Sequence, residues 1–411
     1  MQTNLAEWAR QSEIGKEADA ILRRCVHCGF CTATCPTYQV LGDELDGPRG
    51  RIYLIKEILE GKEPTQATQK HLDQCLTCRN CETTCPSGVQ YGHLVDIGRQ
   101  IVEEKVERPK FQQLQRAILR KGLTSSLFEP AYRLGQSLRS WLPENLQRKV
   151  LPKRDPGEIP STRQQSRQVL ILSGCVQPAM MPTIDAATIR VLNKIGIGTQ
   201  VIQGAGCCGA LNFHLDDQKA ALNQMRLNID AWLPWIESGK IEAIVMNASG
   251  CGAMVAEYAH HLRHDPVYLP KAEKIVALVK DVAQIVAPHA DELIKHIDLN
   301  RLPARPAFHP PCTLQHWQGL RPLSEQLLTK LGIKLQSFDE AHLCCGSAGA
   351  YSVLQPHISQ PLRDRKLGNI SQVNPDVILS SNIGCIGHLQ SGTQTPVRHW
   401  IEVVDSALRN E

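Results

Sequence analysis

The sequence predicts an α+β or α/β chain in which a mainly helical N-terminal domain precedes two repeated α/β domains. Two observations carry this reading. Its sixteen cysteines fall into three groups: eight from Cys25 to Cys85, four from Cys175 to Cys251, and four from Cys312 to Cys385. The last two groups are copies of one unit, since Cys175 precedes Cys207-Cys208-Gly209 by 32 positions and Cys312 precedes Cys344-Cys345-Gly346 by the same 32. With 411 residues, 42% of them hydrophobic, the chain can bury ordinary cores.

In chain order, the N-terminal segment carries Glu7, Glu13, Glu17 and Asp19 and no apolar h-region, so it reads as an amphipathic helix and not as a signal peptide. The first cysteine group fills the domain expected over residues 1–110. Residues 111–165 lack cysteine and contain Pro130, Pro143, Pro152, Pro156, Pro160 and a polar tail, STRQQSRQ, which predicts a basic connector with some helix. Its first part sets nine Lys or Arg against Glu129 and Glu144, with Phe111, Leu114, Ile118, Ala131, Leu134, Leu138 and Trp141 at helical spacing. Such a face packs on a partner subunit or on its own core in preference to an anionic membrane.

The repeated domains are expected over 166–295 and 296–411. In the first, the runs QVLILSG, TQVIQGAG and EAIVMNASG are bounded by Gly and alternate with helical stretches, which predicts buried parallel strands. AATIRVLNKIGI and LSEQLLTKLGI are matching helices, each running into a Gly. Every strand delivers a cysteine at its C-terminal end, the edge at which open α/β sheets bind ligands. Cys175, Cys207, Cys208 and Cys251 are therefore expected to converge. So are Cys312, Cys344, Cys345 and Cys385, with a weaker first strand in ARPAFHPP.

A formal charge of +4 is nearly balanced and gives no global reason to expect a nucleic-acid partner. Nowhere is there an uncharged apolar run of about 18 residues, so no transmembrane helix is expected. A soluble or peripheral chain in a reducing, cytoplasmic setting uses clustered thiols for metal and not for disulfides.

The N-terminal group reads C-x2-C-x2-C-x3-C-P twice, CVHCGFCTATCP and CLTCRNCETTCP. Three thiolates from one tight turn serve one 4Fe-4S cluster while the fourth, before Pro, serves the other. This two-cluster ferredoxin-type pattern assigns Cys25, Cys28, Cys31 and Cys85 to one cluster, and Cys75, Cys78, Cys81 and Cys35 to the second. Zinc also accepts four cysteines but explains neither the third step nor the Pro. His27 and Arg79 stand inside these loops as neighbours of the ligands.

The two CCG units are candidate metal or cluster sites, and His309, His316, His342 and His388 are candidate additional ligands in the second. No catalytic residue is identified. Gly204-Ala205-Gly206 and Gly346-Ser347-Ala348-Gly349 lack the G-x-G-x-x-G spacing of a dinucleotide site, so flavin or nicotinamide must lie elsewhere.

Taken together, CVHCGFCTATCPTYQVLGDELDGPRGRIYLIKEILEG, HLDQCLTCRNCETTCPSG, ASGCGAMVAEY, CTLQHWQGL, HLCCGSAGAYS and VRHWIEVV resemble the iron-sulfur subunits of bacterial glycolate oxidase, a glycolate dehydrogenase. The resemblance implies FAD-containing partner subunits that oxidise glycolate to glyoxylate. It also implies electrons passing through this chain towards a membrane quinone, at the cytoplasmic face of the inner membrane. Related assemblies act on D-lactate or, anaerobically, on glycerol 3-phosphate, and heterodisulfide reductase uses similar CCG units. The wider CCG pattern ends in C-x-x-C, whereas Met254 and His388 stand here, which argues against a five-thiolate cluster and a reductase of that kind.

Overall fold

The computed structural model describes residues 1–147, 150–161 and 165–409. Arg148, Lys149 and residues 162–164, counted above in the connector and its polar tail, lie outside the described residues. By packing, the chain divides into two units, Met1–Ala117 with His342–Lys366, and Ile118–Ala341 with Leu367–Glu411.

The first unit is helical, as expected. The predicted N-terminal helix is broken at Ser12 into α1 (Glu7–Gln11) and α2 (Glu13–Arg24), because Ser12 turns extended and its side chain accepts the Gly15 N–H. Helix α3 (Phe30–Ala33) lies within the first cysteine motif and α4 (Pro36–Leu41) follows it, with Pro36 starting α4 where its missing N–H costs nothing. Then come α5 (Pro48–Leu59), α6 (Gln66–Asp73), α7 (Asn80–Thr84) and α8 (Tyr91–Lys105). Leu22, Ile55, Leu59, Leu72, Leu94 and Val95 from α2, α5, α6 and α8 form a single apolar core. Gly98 lets α8 lie directly on Ile55, whose side chain would meet an added Cβ at 2.6 Å. The segment after His342 joins this unit: Tyr351 donates to the Gln74 carbonyl at 2.8 Å, and Asn80 Nδ2 to that of His342 at 3.4 Å.

The second unit holds two all-parallel sheets. In the first, β1 (Arg167–Ile171), β2 (Ile197–Gln200), β3 (Ile241–Met246) and β4 (Val279–Asp281) lie in the order β2-β1-β3-β4. In the second, β5 (Pro306–Phe308), β6 (Val377–Ser380) and β7 (Val397–His399) lie in the order β5-β6-β7, and Gln336 bridges β5 where the first copy has β2. The internal repeat is thus a repeat of topology. The sequence runs marked β1 and β3, whereas TQVIQGAG overlaps β2 only at Thr199 and Gln200 and is otherwise loop; β4 and β7, short and only partly apolar, escaped them.

The copies are locked by polar contacts. Helix Pro182–Lys194 of the first meets helix Trp400–Ser406 of the second through Arg190–Asp405 at 2.6 Å and Thr183–Glu402 at 2.5 Å. His399 Nε2 donates to the Asn247 carbonyl at 2.9 Å.

The connector begins with α9 (Lys110–Thr124) and α10 (Phe128–Ser137). All seven apolar side chains noted there are exposed, Trp141 at 86%, so packing on the chain's own core is ruled out for them. Among the described residues, no helix is long and apolar enough to cross a membrane.

Candidate metal centres

Both N-terminal loops turn the same way. His27 and Gly29 in the first, Thr77 and Arg79 in the second, are all left-handed, with φ of 57°, 83°, 52° and 57°. These turns leave the three cysteines of each C-x2-C-x2-C run bordering one cavity. Three of these four are not glycine, and such strain is characteristic of ligand-holding turns. Cys31 and Cys81 then lie on the short helices α3 and α7, which pack on each other with Thr34 Oγ1 3.1 Å from Thr84 Oγ1.

The two turns frame two cavities. One is bordered by Cys25, Cys28, Cys31 and Cys85, with His27, Arg49 and Tyr91; the other by Cys35, Cys75, Cys78 and Cys81, with Arg51, Arg79 and Tyr91. Cys81 borders both. Each fourth cysteine therefore reaches the opposite motif's cavity.

This donor set fits a 4Fe-4S cluster. Burial, with Cys25 close by, pushes the Cys31 thiol up to about 11, and burial raises Cys81 well above the ordinary thiol value. Burial also raises Cys35, against the pull of Arg51 and the Thr37 hydroxyl. Crowded buried sulfurs of this kind become thiolates only around a cationic core.

Sequence reasoning marked Arg79 as a neighbour and missed Arg51, Thr37 and Tyr91. Arg51 is fully buried, donating from Nε to the His71 carbonyl at 2.7 Å and from Nη1 to Thr37 Oγ1 at 3.0 Å, with Nη2 3.4 Å from Asp46. The Arg79 guanidinium lies flat on α8, where an added Cβ at Gly92 would meet it at 2.3 Å. The one available signal was the run DGPRGR, whose arginines fall in the first turn of the helix that Pro48 opens.

In the first CCG copy the four cysteines converge as expected. Cys207 touches the sulfurs of Cys175 and Cys208, and Cys208 touches that of Cys251. Donation from Cys175, from Cys208 and from the Gly209 N–H at 3.4 Å holds Cys207 far below the usual thiol range. The loop is braced from behind: Asn228 Nδ2 donates to the Cys207 carbonyl at 2.8 Å, and Tyr258 to that of Cys208 at 2.8 Å. Both braces are fully buried, and neither spacing nor residue type singled them out. Met254 packs into the apolar core.

In the second copy Cys312 and Cys385 belong to the second unit, and Cys344 and Cys345 to the first. The Cys344 turn repeats its counterpart: the Gly346 N–H donates to Cys344 Sγ at the same 3.4 Å, with φ +87° against +91° at Gly209. An added Cβ at Gly346 would meet the Ser359 carbonyl oxygen at 2.4 Å. His309 lies buried just after β5, His316 on the π-helical turn Thr313–Trp317, and His388 on helix Ile383–Gln390. His342 lies in the first unit.

A 4Fe-4S dicluster domain matches residues 21–89, and a cysteine-rich CCG domain matches 169–256 and 306–390. The chain is 50% identical to the glycolate oxidase iron-sulfur subunit of Escherichia coli (strain K12), over the full length of both. It belongs to the glycolate oxidase iron-sulfur subunit family. A probable glycolate oxidase iron-sulfur subunit of Bacillus subtilis (strain 168) is 31% identical over 91% of this chain and 89% of its own. Lactate utilization protein A of Geobacillus thermodenitrificans (strain NG80-2) is 25% identical over 58% of this chain and 98% of its own. Family membership, the two cysteine-rich sheets and the helical dicluster region agree with the architecture expected from sequence.

Proposed function

We propose that this chain is the electron-transfer subunit of a glycolate-oxidising complex, holding one 4Fe-4S cluster on Cys25, Cys28, Cys31 and Cys85 and a second on Cys35, Cys75, Cys78 and Cys81. The observation that carries this reading is the pair of adjacent cavities, each bordered by one of the crossed cysteine sets. A 4Fe-4S cluster exchanges electrons singly. Oxidation of glycolate to glyoxylate releases two electrons and two protons, a step suited to flavin. Neither cavity offers the chain a group to take up a hydride, so that step falls to FAD on partner subunits. This chain's residues hold the sulfurs, exclude water on the side of Arg51 and Tyr91, and pass electrons on towards a membrane quinone. Exposed Phe111, Leu114, Leu134 and Trp141, among basic residues such as Lys110 and Lys121, suit peripheral contact at the cytoplasmic face of the membrane.

The lactate utilization relatives favour lactate as a second substrate for the assembly. The linked sulfurs of Cys175, Cys207, Cys208 and Cys251 form a third metal or cluster site in this proposal.

Purification with native partners without oxygen, followed by counting iron, sulfide and zinc, tests the reading. At least about eight irons per chain are expected, with two interacting EPR signals after dithionite reduction. Stoichiometric zinc on the N-terminal cysteines would overturn it.

A further inference from the structure

We infer that Arg51, Thr37 and Tyr91 give the site of Cys35, Cys75, Cys78 and Cys81 the higher reduction potential, so that electrons arrive at the site of Cys25, Cys28, Cys31 and Cys85. This rests on the ligand assignment proposed above and adds a direction to it.

The two cavities differ in what faces them. Arg51, with no exposed surface, borders the second cavity, while its carboxylate partner Asp46 does not and is shared with His71 Nδ1 at 2.9 Å. The guanidinium charge is therefore nearer the cavity than the charge that balances it. Thr37 Oγ1 lies 3.3 Å from Cys35 Sγ and shares its one proton between that sulfur and the Asp46 carbonyl at 2.7 Å. The Tyr91 hydroxyl donates to Cys75 Sγ at 3.7 Å, and the Thr77 N–H donates to the same sulfur at 3.4 Å. Tyr91 borders both cavities, but its donor serves only the second.

At the first cavity, among the described residues, no side-chain donor reaches a cysteine sulfur. Its bordering cation, Arg49, is partly exposed and tied to Glu44 Oε1 at 2.6 Å. Cys28 is exposed, flanked by Val26 and Phe30 at 65% and 59% exposure, so a partner can approach here.

Reduction adds one negative charge, which nearby cations and donors to sulfur stabilise. Burial alone opposes that charge and favours the more open first site. Arg51 reverses the order because a buried cation acts through a low dielectric, whereas the exposed Arg49 is screened by water and offset by Glu44.

The test is an EPR-monitored redox titration of the assembled complex with Thr37→Val, Tyr91→Phe and Arg51→Gln variants, the signals being assigned through Cys35→Ser. In wild type, the signal lost in Cys35→Ser should have the higher midpoint. Each of the three variants should lower that midpoint and leave the other in place, with Arg51→Gln having the largest effect. Should Arg51→Gln fail to fold, the two milder variants carry the test. Absence of iron from wild type would sink the ligand assignment itself. Two intact signals with the reverse order, with midpoints unmoved in the variants, or with only the first site shifted, would overturn this inference alone.

Discussion

Cys35 follows the first motif in sequence yet borders the cavity of the second, and Cys85 does the converse. A single substitution therefore separates sequence neighbourhood from spatial role. Changing Cys35 to Ser should remove the iron held mainly by Cys75, Cys78 and Cys81, about four atoms per chain, and one of the two EPR signals. Iron analysis and EPR of that variant decide the matter, and selective loss at Cys25, Cys28 and Cys31 would show the crossed arrangement to be wrong. His27 and Arg79 matter first as backbone: both are left-handed where the turn requires it. Arg79 adds a buried cation that Gly92 makes room for.

At the scale of elements, β4 and β7 occupy equivalent edges of the two sheets, and each feeds a helix through a buried capping box. Asp281 caps Val282–Val286 with Gln284, and His399 caps Trp400–Ser406 with Glu402. Burial pushes the Asp281 carboxyl up to about 7 against the pull of the Ala283 N–H, and pushes His399 down to about 3. Asp281 binds its proton more tightly folded than unfolded, where its value is 3.8. Its stabilising contribution is thus complete below pH 3.8 and fades as the pH rises through 7, at up to about 1.4 kcal/mol per pH unit. His399 acts oppositely, favouring the fold above its ordinary 6.5 and losing that contribution as the pH falls towards 3. Asp281→Asn keeps the acceptor for Ala283 and removes the charge. Thermal unfolding should show the variant gaining on wild type at pH 8 and converging with it near pH 4. A difference independent of pH would refute the assignment.

For the whole molecule, the proposed division of labour can be measured. On this proposal the isolated chain should not oxidise glycolate, because its cysteine sites suit single electrons and its sequence carries no G-x-G-x-x-G dinucleotide spacing. Assaying the chain alone, the flavin subunits alone and the two combined, with glycolate and D-lactate, measures this directly. Turnover by the chain alone, or flavin copurifying with it, would refute the proposal. Activity with the physiological acceptor only when Cys28 and Cys78 are intact would support it.

The sequence by itself determined the three cysteine groups, the repeat and the family, because a cysteine motif is written in short, local spacing and a duplicated unit keeps its offsets. It also marked the strands that lead to Cys175 and Cys251, since buried parallel strands read as apolar runs. Only the tertiary structure decided that Arg51 lies buried beside Cys35 and Cys75, that Asn228 and Tyr258 brace the first CCG turn, and that residues 342–366 pack with the first unit. Only it showed the apolar stripe of 111–141 facing outward. The reason is the same in each case: chelate spacing is written in neighbouring residues, whereas burial and the choice of a distant hydrogen-bond partner depend on which helices come to lie against one another.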